Sequence, residues 1–555
     1  MAQNFFADNN DLLFHFRNFD WEEIVRLRED NYTASGAPAD LAAALRLYEE
    51  KLNVIGELAG GPFAERAAEV DRQGAVCIDH KVTIPEGTQQ NLDDLKKAGL
   101  CGVTLPRQYG GLFFPVTAYC MMTEIVSRAD ASLQNLFGLQ SIAETLNLFG
   151  SEEQKAENLP KFCTGEYDGA MALTEPEAGS DLQSAQVKAT LGEDGVWRLN
   201  GIKHFITNGM AKMLLVLARS EEGSTDGRGL SMFLAHPCPE LTVERIEDKM
   251  GIHGSPTCEL HFNNAPVELV GKRRFGLIKY VMSLMNGARL AICSQSVGLA
   301  EACRQAAWAY CQERKQFKNP ISQLPQVREM LTRMDALTAA SRSLLYNTSK
   351  WVDRRDSWRI YAEAHPDDLD AKKKSADADR VCDALTPMTK AFNTESANLC
   401  AYDCIQCHGG KGYMRERPIE RYYRDARIMN IYEGTTQMQV VAATAGLLKH
   451  GADPAFAEIE AFPFSEEAKA MLPKLIAMRE KLLKAQESIS AEQQSLLFRR
   501  IVRGLTIVMA GELLLRDASL DATRMGVARR FLWEYLPEAD MHAEIILGTQ
   551  GDFSL

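Results

Sequence analysis

The 555-residue chain has no apolar run long enough to span a bilayer. Its two most apolar stretches, 277–299 and 501–515, are interrupted by the charged residues Lys279, Arg289, Arg503 and Glu512. The N-terminus lacks the basic and apolar regions of a secretory signal, and its acidity does not suit an organelle-targeting peptide. We therefore expect a protein without a membrane span that is located in the cytoplasm.

A surplus of basic residues is also missing. The chain has 62 Lys and Arg against 75 Asp and Glu, which gives a formal net charge of −13. Such a chain has no general attraction for nucleic acid, and we expect no nucleic-acid partner. With 46% hydrophobic and 25% charged residues the composition is that of a globular protein, and the length predicts three or four domains.

The cysteines show no pattern typical of a disulfide framework. Thirteen of them, an odd number, are scattered from Cys77 to Cys407, as expected for buried free thiols in a reducing compartment. Cys404-Ile-Gln-Cys407-His408 matches the spacing for covalent haem attachment. That chemistry requires export, for which the sequence has no signal, so we favour an accidental match. No metal site, iron–sulfur motif or nicotinamide motif is predicted.

Hydrophobic periodicity predicts an order of α, then β, then α. Apolar residues recur at helical spacing from about Phe19 to Cys163, and Ser151 is the predicted N-cap of a helix. Short strands separated by turns follow, and they predict a small β-barrel or sandwich. These strands are Gln186 to Leu191, Val196 to Leu199, Met213 to Ala218, Leu230 to Ala235, Leu241 to Ile246 and Thr257 to Phe262.

Long helical patterns return from about Lys279 to His450. The stretch 349–380, with crowded charges and Pro366, predicts an exposed insertion between two helices. After residue 450, further amphipathic helices are predicted. We expect them to be buried against the rest of the chain or a second subunit rather than to lie on a membrane. They are Ala468 to Gln486, Ala491 to Leu515 and Asp521 to Tyr535. The predicted domains are 1–170 (helical), 171–278 (β), 279–450 (helical bundle) and 451–555 (helical extension).

Three sequence blocks carry more specific information than the order of helices and strands. The first is Ala172-Leu-Thr-Glu-Pro-Glu-Ala-Gly-Ser-Asp181, followed by Leu199-Asn-Gly-Ile-Lys-His-Phe-Ile-Thr-Asn-Gly209. The second is Glu313-Arg-Lys-Gln-Phe-Lys-Asn-Pro-Ile321 with Gln326. The third comprises Gln406-Cys-His-Gly-Gly-Lys-Gly-Tyr413, Arg424-Asp-Ala-Arg427 and Ile431-Tyr-Glu-Gly-Thr-Thr-Gln437.

Together the blocks resemble the acyl-CoA dehydrogenase family, flavoproteins that introduce an α,β double bond into acyl-CoA thioesters. The resemblance runs from about residue 92 to residue 448. It implies an α+β fold with an N-terminal α-helical domain, a middle β-barrel domain and a C-terminal helical bundle. This chain adds a C-terminal helical extension. FAD is the implied cofactor.

The first block has a physical interpretation of its own. Thr174, Gly179 and Ser180 place hydroxyls beside bare backbone, which suits close approach to a flavin edge and its phosphates. Phe205 and Thr207 lie two apart on a predicted strand, so one face would present a ring for the isoalloxazine and a hydroxyl near N5. Without the resemblance, a polar turn and a core aromatic are the commoner interpretations. The family commonly has Trp at the position of Phe205, so stacking is retained and the indole N–H is lost.

The second block and the start of the third imply flavin contacts from a neighbouring subunit. Arg314 offers a fork of donors suited to a pyrophosphate, although such an Arg is usually a solvated helix residue, and Phe317 offers a flat surface for adenine. In the family these segments reach the FAD of the neighbouring subunit, which implies a homodimer or homotetramer. The FAD contacts implied by the resemblance are Leu173, Thr174, Gly179, Ser180, Phe205, Thr207, Arg314, Phe317, Gln326, Gln406, Gly409, Gly410, Thr435 and Gln437.

The third block contains the candidate base. Removing a proton beside a thioester needs a carboxylate in a dry pocket, where desolvation raises its pKa. Taken alone, Glu433 would be an acidic residue near the N-terminus of a following helix. The resemblance instead implies that Glu433 is the catalytic base, since the other position used in the family is Ala288 here. The implied substrate contacts are Ser180, Asn286, Arg289 and Gly434, although Asn286 could equally brace a helix.

The implied activity is α,β-dehydrogenation of an acyl-CoA, with electrons passed to an electron-transferring flavoprotein. An acyl-CoA oxidase, which passes electrons to oxygen, is the alternative, and a non-catalytic assembly or DNA-binding role is disfavoured by Glu433 and the net charge. The additional segments resemble an extended subgroup that includes very-long-chain and methylthiopropanoyl-CoA dehydrogenases. The acyl group stays open, although Ser132, at the position of an Arg in glutaryl-type members, disfavours a dicarboxylyl substrate.

Overall fold

The computed structural model describes residues 3–490 and 493–549, which fall into two compact units. The first unit comprises Met1–Asp8 and Arg46–Ala291, and the second comprises Asn9–Leu45 and Ile292–Leu555. No helix among the described residues is both long enough and apolar enough to cross a membrane. The outermost limits of the predicted first and last domains, residues 1 and 555, lie outside the described residues.

The helices are numbered in chain order. They are α1 (Asn10–Asn18), α2 (Trp21–Arg28), α3 (Leu41–Leu58), α4 (Ala64–Gln73), α5 (Glu86–Lys97), α6 (Val116–Ala129), α7 (Ala131–Phe137), α8 (Gln140–Phe149), α9 (Glu152–Cys163), α10 (Met282–Glu313), α11 (Pro325–Ala364), α12 (Leu369–His408), α13 (Gly410–Tyr413), α14 (Ile419–Met429), α15 (Thr436–Leu447), α16 (Asp453–Glu460), α17 (Glu466–Glu487), α18 (Gln494–Leu520) and α19 (Met525–Gly548).

The strands are numbered in the same way. They are β1 (Val76–Ile78), β2 (Lys81–Thr83), β3 (Gly169–Ala172), β4 (Lys188–Leu191), β5 (Trp197–Thr207), β6 (Met213–Arg219), β7 (Leu230–Ala235), β8 (Leu241–Ile246), β9 (Thr257–Val270), β10 (Lys315–Gln316) and β11 (Asn319–Pro320).

The first unit joins the early helices to a closed sheet. Strands β6, β4, β5, β9 and β7 pair in that order, and β7 pairs again with β6, so a barrel forms rather than a sandwich. Strand β6 is buried on both faces. Met213, Leu215 and Leu217 pack in one core cluster with Ile142 and Leu146 of α8, whereas the alternate residues of β6 belong to the second cluster, inside the sheet.

The predicted strands all exist, but two are longer than the sequence indicated. Strand β5 continues beyond Leu199 to Thr207, and β9 continues beyond Phe262 to Val270. Asn200 and Asn264 interrupt the apolar pattern, yet the register between the two strands shifts there and the amide oxygen of Asn200 accepts the backbone N–H of Asn264 (2.8 Å). Strand β3 was not predicted, because its sequence, Gly-Ala-Met-Ala, has no β-branched residue.

The predicted N-cap of α9 in the first unit is confirmed, because Ser151 and Gln154 form a capping box.

The second unit is a helical bundle. The predicted helices of the extension are present as α17, α18 and α19, and α18 and α19 both pack against α11. The predicted start of the middle one, Ala491, lies outside the described residues, and α18 begins at Gln494.

The insertion predicted over 349–380 is wrong as a long break between helices, although much of 363–380 is exposed as predicted. Helices α11 and α12, of 40 residues each, extend through almost all of it and leave only 365–368 between them. Some of the crowded charges bind other helices, while most of those after residue 362 are exposed to solvent. Lys350 and Arg354 both bond Glu458 of α16, and Arg354 Nε also donates to Glu23 of α2 (3.1 Å). The charge-rich sequence suggested a solvated loop, because the partners of these charges are remote in the chain and could not be recognised from the local sequence.

Candidate functional site

A buried ion pair fixes the first block to strand β5. Lys203, fully buried, donates from Nζ to Glu175 (2.8 Å) and to the carbonyl of Leu173 (2.7 Å). The same carboxylate accepts the backbone N–H groups of Gln186 (2.6 Å) and Val187 (3.0 Å). Burial lowers the pKa of Lys203 to about 8, and the negative charge of Glu175 limits this fall. The turn that carries Thr174 is therefore held rigidly against β5.

Phe205 lies at a β-bulge. Strand β5 pairs Lys203 with Leu260 and Ile206 with Cys258, so it contains one residue more than β9 between these pairs. The bulge gives Phe205 a φ of +60°, in the left-handed region that bulky residues avoid. Its ring is 58% exposed, while Ile206 is buried and Thr207 is half-buried. The backbone thus presents an aromatic ring outward beside the turn of Thr174, whose carbonyl accepts the N–H of His204 (2.8 Å).

Beside this ring lies a network of charged groups. The rings of His204 and Phe205 stack with centroids 3.8 Å apart, and His204 Nε2 contacts Glu247 (2.7 Å). The ligand atoms of His204, Glu247 and Glu259 lie within 4.8 Å of one another, a spacing that would accommodate a metal ion. Arg245 contacts Glu259 (3.0 Å) and Glu247 (3.8 Å), so both carboxylates of this group already lie beside a guanidinium group.

The remaining residues that the sequence predicted in the first unit lie as follows. Leu173 is buried and Gly179 and Ser180 are exposed at the turn. Asn286 and Arg289 lie on α10, where Arg289 Nη1 donates to Asn286 Oδ1 (3.1 Å). Asn286 therefore braces the guanidinium of Arg289, an arrangement that the sequence had left open.

Glu433 lies in a loop between α14 and α15. Its φ is +54°, and that of Gly434 is +87°, so both residues adopt the left-handed region. Lys390, fully buried on α12, donates from Nζ to the carbonyls of Tyr432 (2.7 Å) and Gly434 (2.6 Å). Gln439 adds a hydrogen bond to the carbonyl of Gly434 (2.9 Å). The backbone on both sides of Glu433 is therefore fixed by hydrogen bonds.

The environment of Glu433 is sheltered. Glu433 itself is half-buried, and the hydroxyl of Tyr432 donates to Gln295 of α10. Burial, followed by the neighbouring charge of Glu433, raises the pKa of Tyr432 well above its usual value. Thr435 is the N-cap of α15, with its side chain accepting from the N–H of Met438, and Gln437 is exposed. Glu433 lies ahead of this helix rather than in its first turn.

The second block forms a short hairpin. Strands β10 and β11 pair around Phe317 and Lys318, whose φ values are +50° and +71°. Two-residue hairpin turns of this kind usually contain Asn or Gly. Phe317, 84% exposed, stands at the tip, and Arg314 and Gln326 are also exposed.

The third block begins at the same end of the bundle. The rings of Tyr310 on α10 and His408 on α12 stack with centroids 4.4 Å apart, and Cys311 and Cys407 are both buried. His408 Nδ1 also bonds the carbonyl of Cys404 (2.7 Å). These buried contacts explain the residues of the haem-like spacing as helix packing. Three predicted cofactor residues are left exposed beside them, and they are Gln406, Gly409 and Gly410.

Three residues that support the candidate site were not predicted from the sequence, and they are Lys203, Glu175 and Lys390. A signal existed for Lys390, because it falls in a run of buried α12 residues that includes Met388, Ala391 and Phe392. A charged residue in the buried phase of a helix indicates a specific partner. For Lys203 the signal was weaker: the partner Glu175 is 28 residues away.

Three family models match successive parts of the chain. The N-terminal domain of acyl-CoA dehydrogenases matches residues 61–166, the middle domain residues 170–265, and the C-terminal domain residues 278–365 and 369–448. The chain therefore belongs to the acyl-CoA dehydrogenase family, and it is an enzyme of acyl-CoA dehydrogenation. The α+β fold inferred from the resemblance is confirmed.

Individual proteins agree with this assignment. The chain is 35% identical to the 3-methylmercaptopropionyl-CoA dehydrogenase of Ruegeria pomeroyi over 421 residues, which cover 70% of this chain and 68% of that protein. A chain in a structure of the electron transferring flavoprotein of Acidaminococcus fermentans is 31% identical, with a TM-score of 0.63, and covers 72% of this chain and 98% of its own. An acyl-CoA dehydrogenase from Bacillus anthracis, complexed with FAD, shares the fold at 24% identity, with a TM-score of 0.75 and coverage of 91% and 89%.

FAD is the cofactor of this family, and the residues present fit it. The structure offers exposed rings at Phe205 and Phe317 and an exposed guanidinium at Arg314. At Gly409 and Gly410 no described atom outside the adjoining backbone lies within 4 Å of the position that a Cβ would take, so the backbone is open to a ligand. Aromatic surface, positive charge and bare backbone are the groups that a flavin dinucleotide requires.

Proposed function

We propose that this enzyme removes the α-proton of its acyl-CoA substrate with the carboxylate of Glu433. The observation that carries the proposal is the conformation of the Glu433 loop. A left-handed Glu is strained, and strained backbone concentrates at functional sites. Lys390 and Gln439 hold this conformation by bonding the flanking carbonyls. A half-buried carboxylate fixed in this way is suited to accept a proton from one defined direction.

The backbone beside the base has a second role in this proposal. The N–H of Glu433 polarises the thioester carbonyl, so that charge developing on its oxygen is stabilised during proton removal. Gly434 has no side chain to obstruct the thioester. Arg289, oriented by Asn286, and the exposed hydroxyl of Ser180 bind other parts of the acyl-CoA.

Bound FAD supplies the acceptor for the β-hydride at flavin N5. In this proposal Phe205 packs on the flavin ring, and Thr207 donates a hydrogen bond near the reacting edge. Leu173, Thr174, Gly179 and Ser180 line the same side, supported by the Lys203–Glu175 pair. Thr435 and Gln437 contact the phosphates.

We also propose that the exposed end of α10 and α12 contacts FAD in a neighbouring subunit of a homodimer or homotetramer. Phe317 is an apolar ring at a hairpin tip, which a partner would cover. Arg314 would bind the pyrophosphate bidentately. The other members of this surface are Gln326, Gln406, Gly409 and Gly410.

The electron acceptor is proposed to be an electron-transferring flavoprotein. The similar chain from the Acidaminococcus fermentans flavoprotein structure supports this choice. The alternative, an acyl-CoA oxidase, differs in how fast the reduced enzyme reacts with oxygen. Rapid reoxidation in air, compared with slow reoxidation that an electron-transferring flavoprotein accelerates, separates the two.

The proposal leaves open which acyl group the substrate carries. The relative from Ruegeria pomeroyi is named for a sulfur-containing propionyl group, which favours a short, monocarboxylyl substrate. Ser132 is buried and donates to Asp130 (2.6 Å), so it offers no charge to a distal carboxylate.

The direct test is anaerobic bleaching of the enzyme's flavin by a panel of acyl-CoAs. Short, methylthio, long, branched, dicarboxylyl and cyclic acyl groups are compared at equal concentration. Bleaching by one class supports the reaction and identifies the substrate. A fully FAD-loaded enzyme that no member bleaches would contradict the proposal for these acyl classes.

A further inference from the structure

The second unit contains a cavity that the proposed function does not use. Its volume is about 400 Å³, and it lies between α12 and α15 of the bundle and α18 and α19 of the extension. Residues of all four helices line it. The cavity therefore depends on the C-terminal extension, which lies beyond the residues that the family models match.

The charged groups of the cavity are not balanced. Three guanidinium groups face two carboxylates, together with one imidazole. Of the three arginines, Arg500 faces an imidazole rather than a carboxylate, with its Nη1 3.3 Å from the Nδ1 of His542. The carboxylates pair with the other two: Arg499 with Glu395 (3.4 Å) and Arg503 with Glu538 (2.8 Å). An excess of positive charge in a partly enclosed space attracts an anion.

The charge of Glu538 persists over the physiological range. Burial alone would raise the pKa of this carboxyl, but hydrogen bonds from His542 and Arg503 outweigh burial and lower it to about 2. Glu538 is therefore charged at neutral pH, and the cavity still has three guanidinium groups against two carboxylates.

Two polar atoms at the cavity lack partners. The hydroxyl of Thr436, a residue only 6% exposed, has no hydrogen-bond partner among the described residues, and the same is true of Nη1 of Arg503. Buried polar groups in folded proteins are nearly always satisfied by protein, water or ligand. Thr436 is also the first residue of α15, where the helix dipole favours negative charge.

Apolar side chains form much of the remaining wall. Met388, Phe392, Val440 and Val502 line the cavity beside the polar groups. The guanidinium of Arg503 lies over the ring of Phe392, 4.9 Å from its centre, so the charged and apolar parts meet. A ligand that satisfies both parts has an anionic head and an apolar body.

We propose that this cavity binds an organic carboxylate with an apolar chain. The carboxylate accepts hydrogen bonds from Arg500, from the free Nη1 of Arg503 and from the hydroxyl of Thr436, and the chain packs against the apolar wall. A carboxylate fits better than inorganic phosphate because the apolar lining gains nothing from a fully polar ion. The proposal does not depend on the identity of the catalytic base.

Isothermal titration of the full-length, FAD-loaded protein with octanoate tests this site. We expect saturable binding, at least about tenfold weaker in Arg500→Gln and in Thr436→Val, because each loses a hydrogen bond to a charged group. Arg529→Gln is the matched control, since Arg529 lies on α19, outside the cavity lining, where it pairs with Glu467, and its affinity should equal that of the wild type. Inorganic phosphate and octylamine should bind at least about tenfold more weakly than octanoate.

Three results would overturn the proposal. These are absence of octanoate binding, equal affinity in wild type and Arg500→Gln, and binding that excess acyl-CoA abolishes while Arg500→Gln leaves it intact. The last result would place octanoate in the acyl site. Acyl-CoA bleaching of the flavin, measured on the same samples, reports on the proposed function separately. Arg500→Gln should leave that bleaching unchanged.

Discussion

Among single residues, Lys390 links the buried face of α12 to the loop that carries the proposed base, Glu433. Its ammonium group is fully buried and bonds two carbonyls that flank Glu433. We infer that it positions the base without touching the substrate. The cost of burying a charge would then be offset by a loop geometry that the reaction requires.

Lys390→Met should lower kcat at least about tenfold, because the loop would lose two charge-assisted hydrogen bonds. KM should change less than kcat, since binding contacts elsewhere are intact. Steady-state kinetics at matched FAD content measures both. Lys390→Arg should recover part of kcat. An unaltered kcat in a folded, FAD-loaded Lys390→Met enzyme would show that the loop does not need this anchor.

The Lys203–Glu175 pair supports the proposed flavin side in a similar way. Lys203→Met leaves a buried carboxylate without its cation, which should lower the free energy of unfolding by about 3 kcal/mol. Lys188→Met is the control, because Lys188 is exposed on β4, and it should change stability by less than about 0.5 kcal/mol. Urea unfolding followed by circular dichroism compares the two. Equal stability of the two variants would refute a structural role for the pair.

At the scale of elements, regular patterns were predictable and remote partners were not. Strands β7 and β8 match the predicted limits because turn-forming residues flank them, with Gly229 before β7 and Pro237 and Pro239 between the two strands. The helices through 349–380 were missed because Glu458 and Glu23, which bind their charges, are distant in sequence. Within the candidate site, Glu433 and Phe205 were predicted from motifs. Their left-handed backbone was not, because φ depends on the bulge and on Lys390.

Helix α18 carries a pH-dependent element. Glu512 is fully buried, and neither of its carboxyl oxygens has a hydrogen-bond partner among the described residues. Burial, and then the charge of Glu460, raises its pKa to about 8, while Arg479 acts in the opposite direction. In the unfolded chain the group would titrate near its ordinary value of 4.5. The folded state binds this proton more tightly, so stability falls as pH rises from about 4.5 to about 8.

Glu512→Gln should remove this dependence. At about pH 4, below the ordinary pKa of 4.5, the variant and the wild type should be about equally stable, since Glu512 is then mostly neutral in the folded and the unfolded chain. At pH 8 the variant should be more stable, by up to about 4 kcal/mol. Thermal unfolding across this pH range measures the difference. A constant difference between the two proteins at all pH values would mean that Glu512 does not titrate on unfolding.

At the scale of the whole molecule, the proposed FAD site requires a second subunit. The exposed ring of Phe317 and the exposed Arg314 are the features that a monomer does not explain. Arg314→Ala should lower FAD retention after gel filtration several-fold, because a bidentate phosphate contact is lost. Lys315→Ala, on the same exposed hairpin, is the control and should retain FAD. Unchanged FAD content and oligomeric state in Arg314→Ala would contradict the intersubunit contact.

Above all, we propose that Glu433 removes the α-proton. Stopped-flow measurement of anaerobic flavin reduction by the best acyl-CoA, in wild type and Glu433→Gln, tests it directly. The amide is nearly the same size as the carboxylate but cannot accept the proton. We expect full FAD content and a reduction rate lowered by a factor of about 100 or more. Flavin reduction in Glu433→Gln at close to the wild-type rate would contradict it.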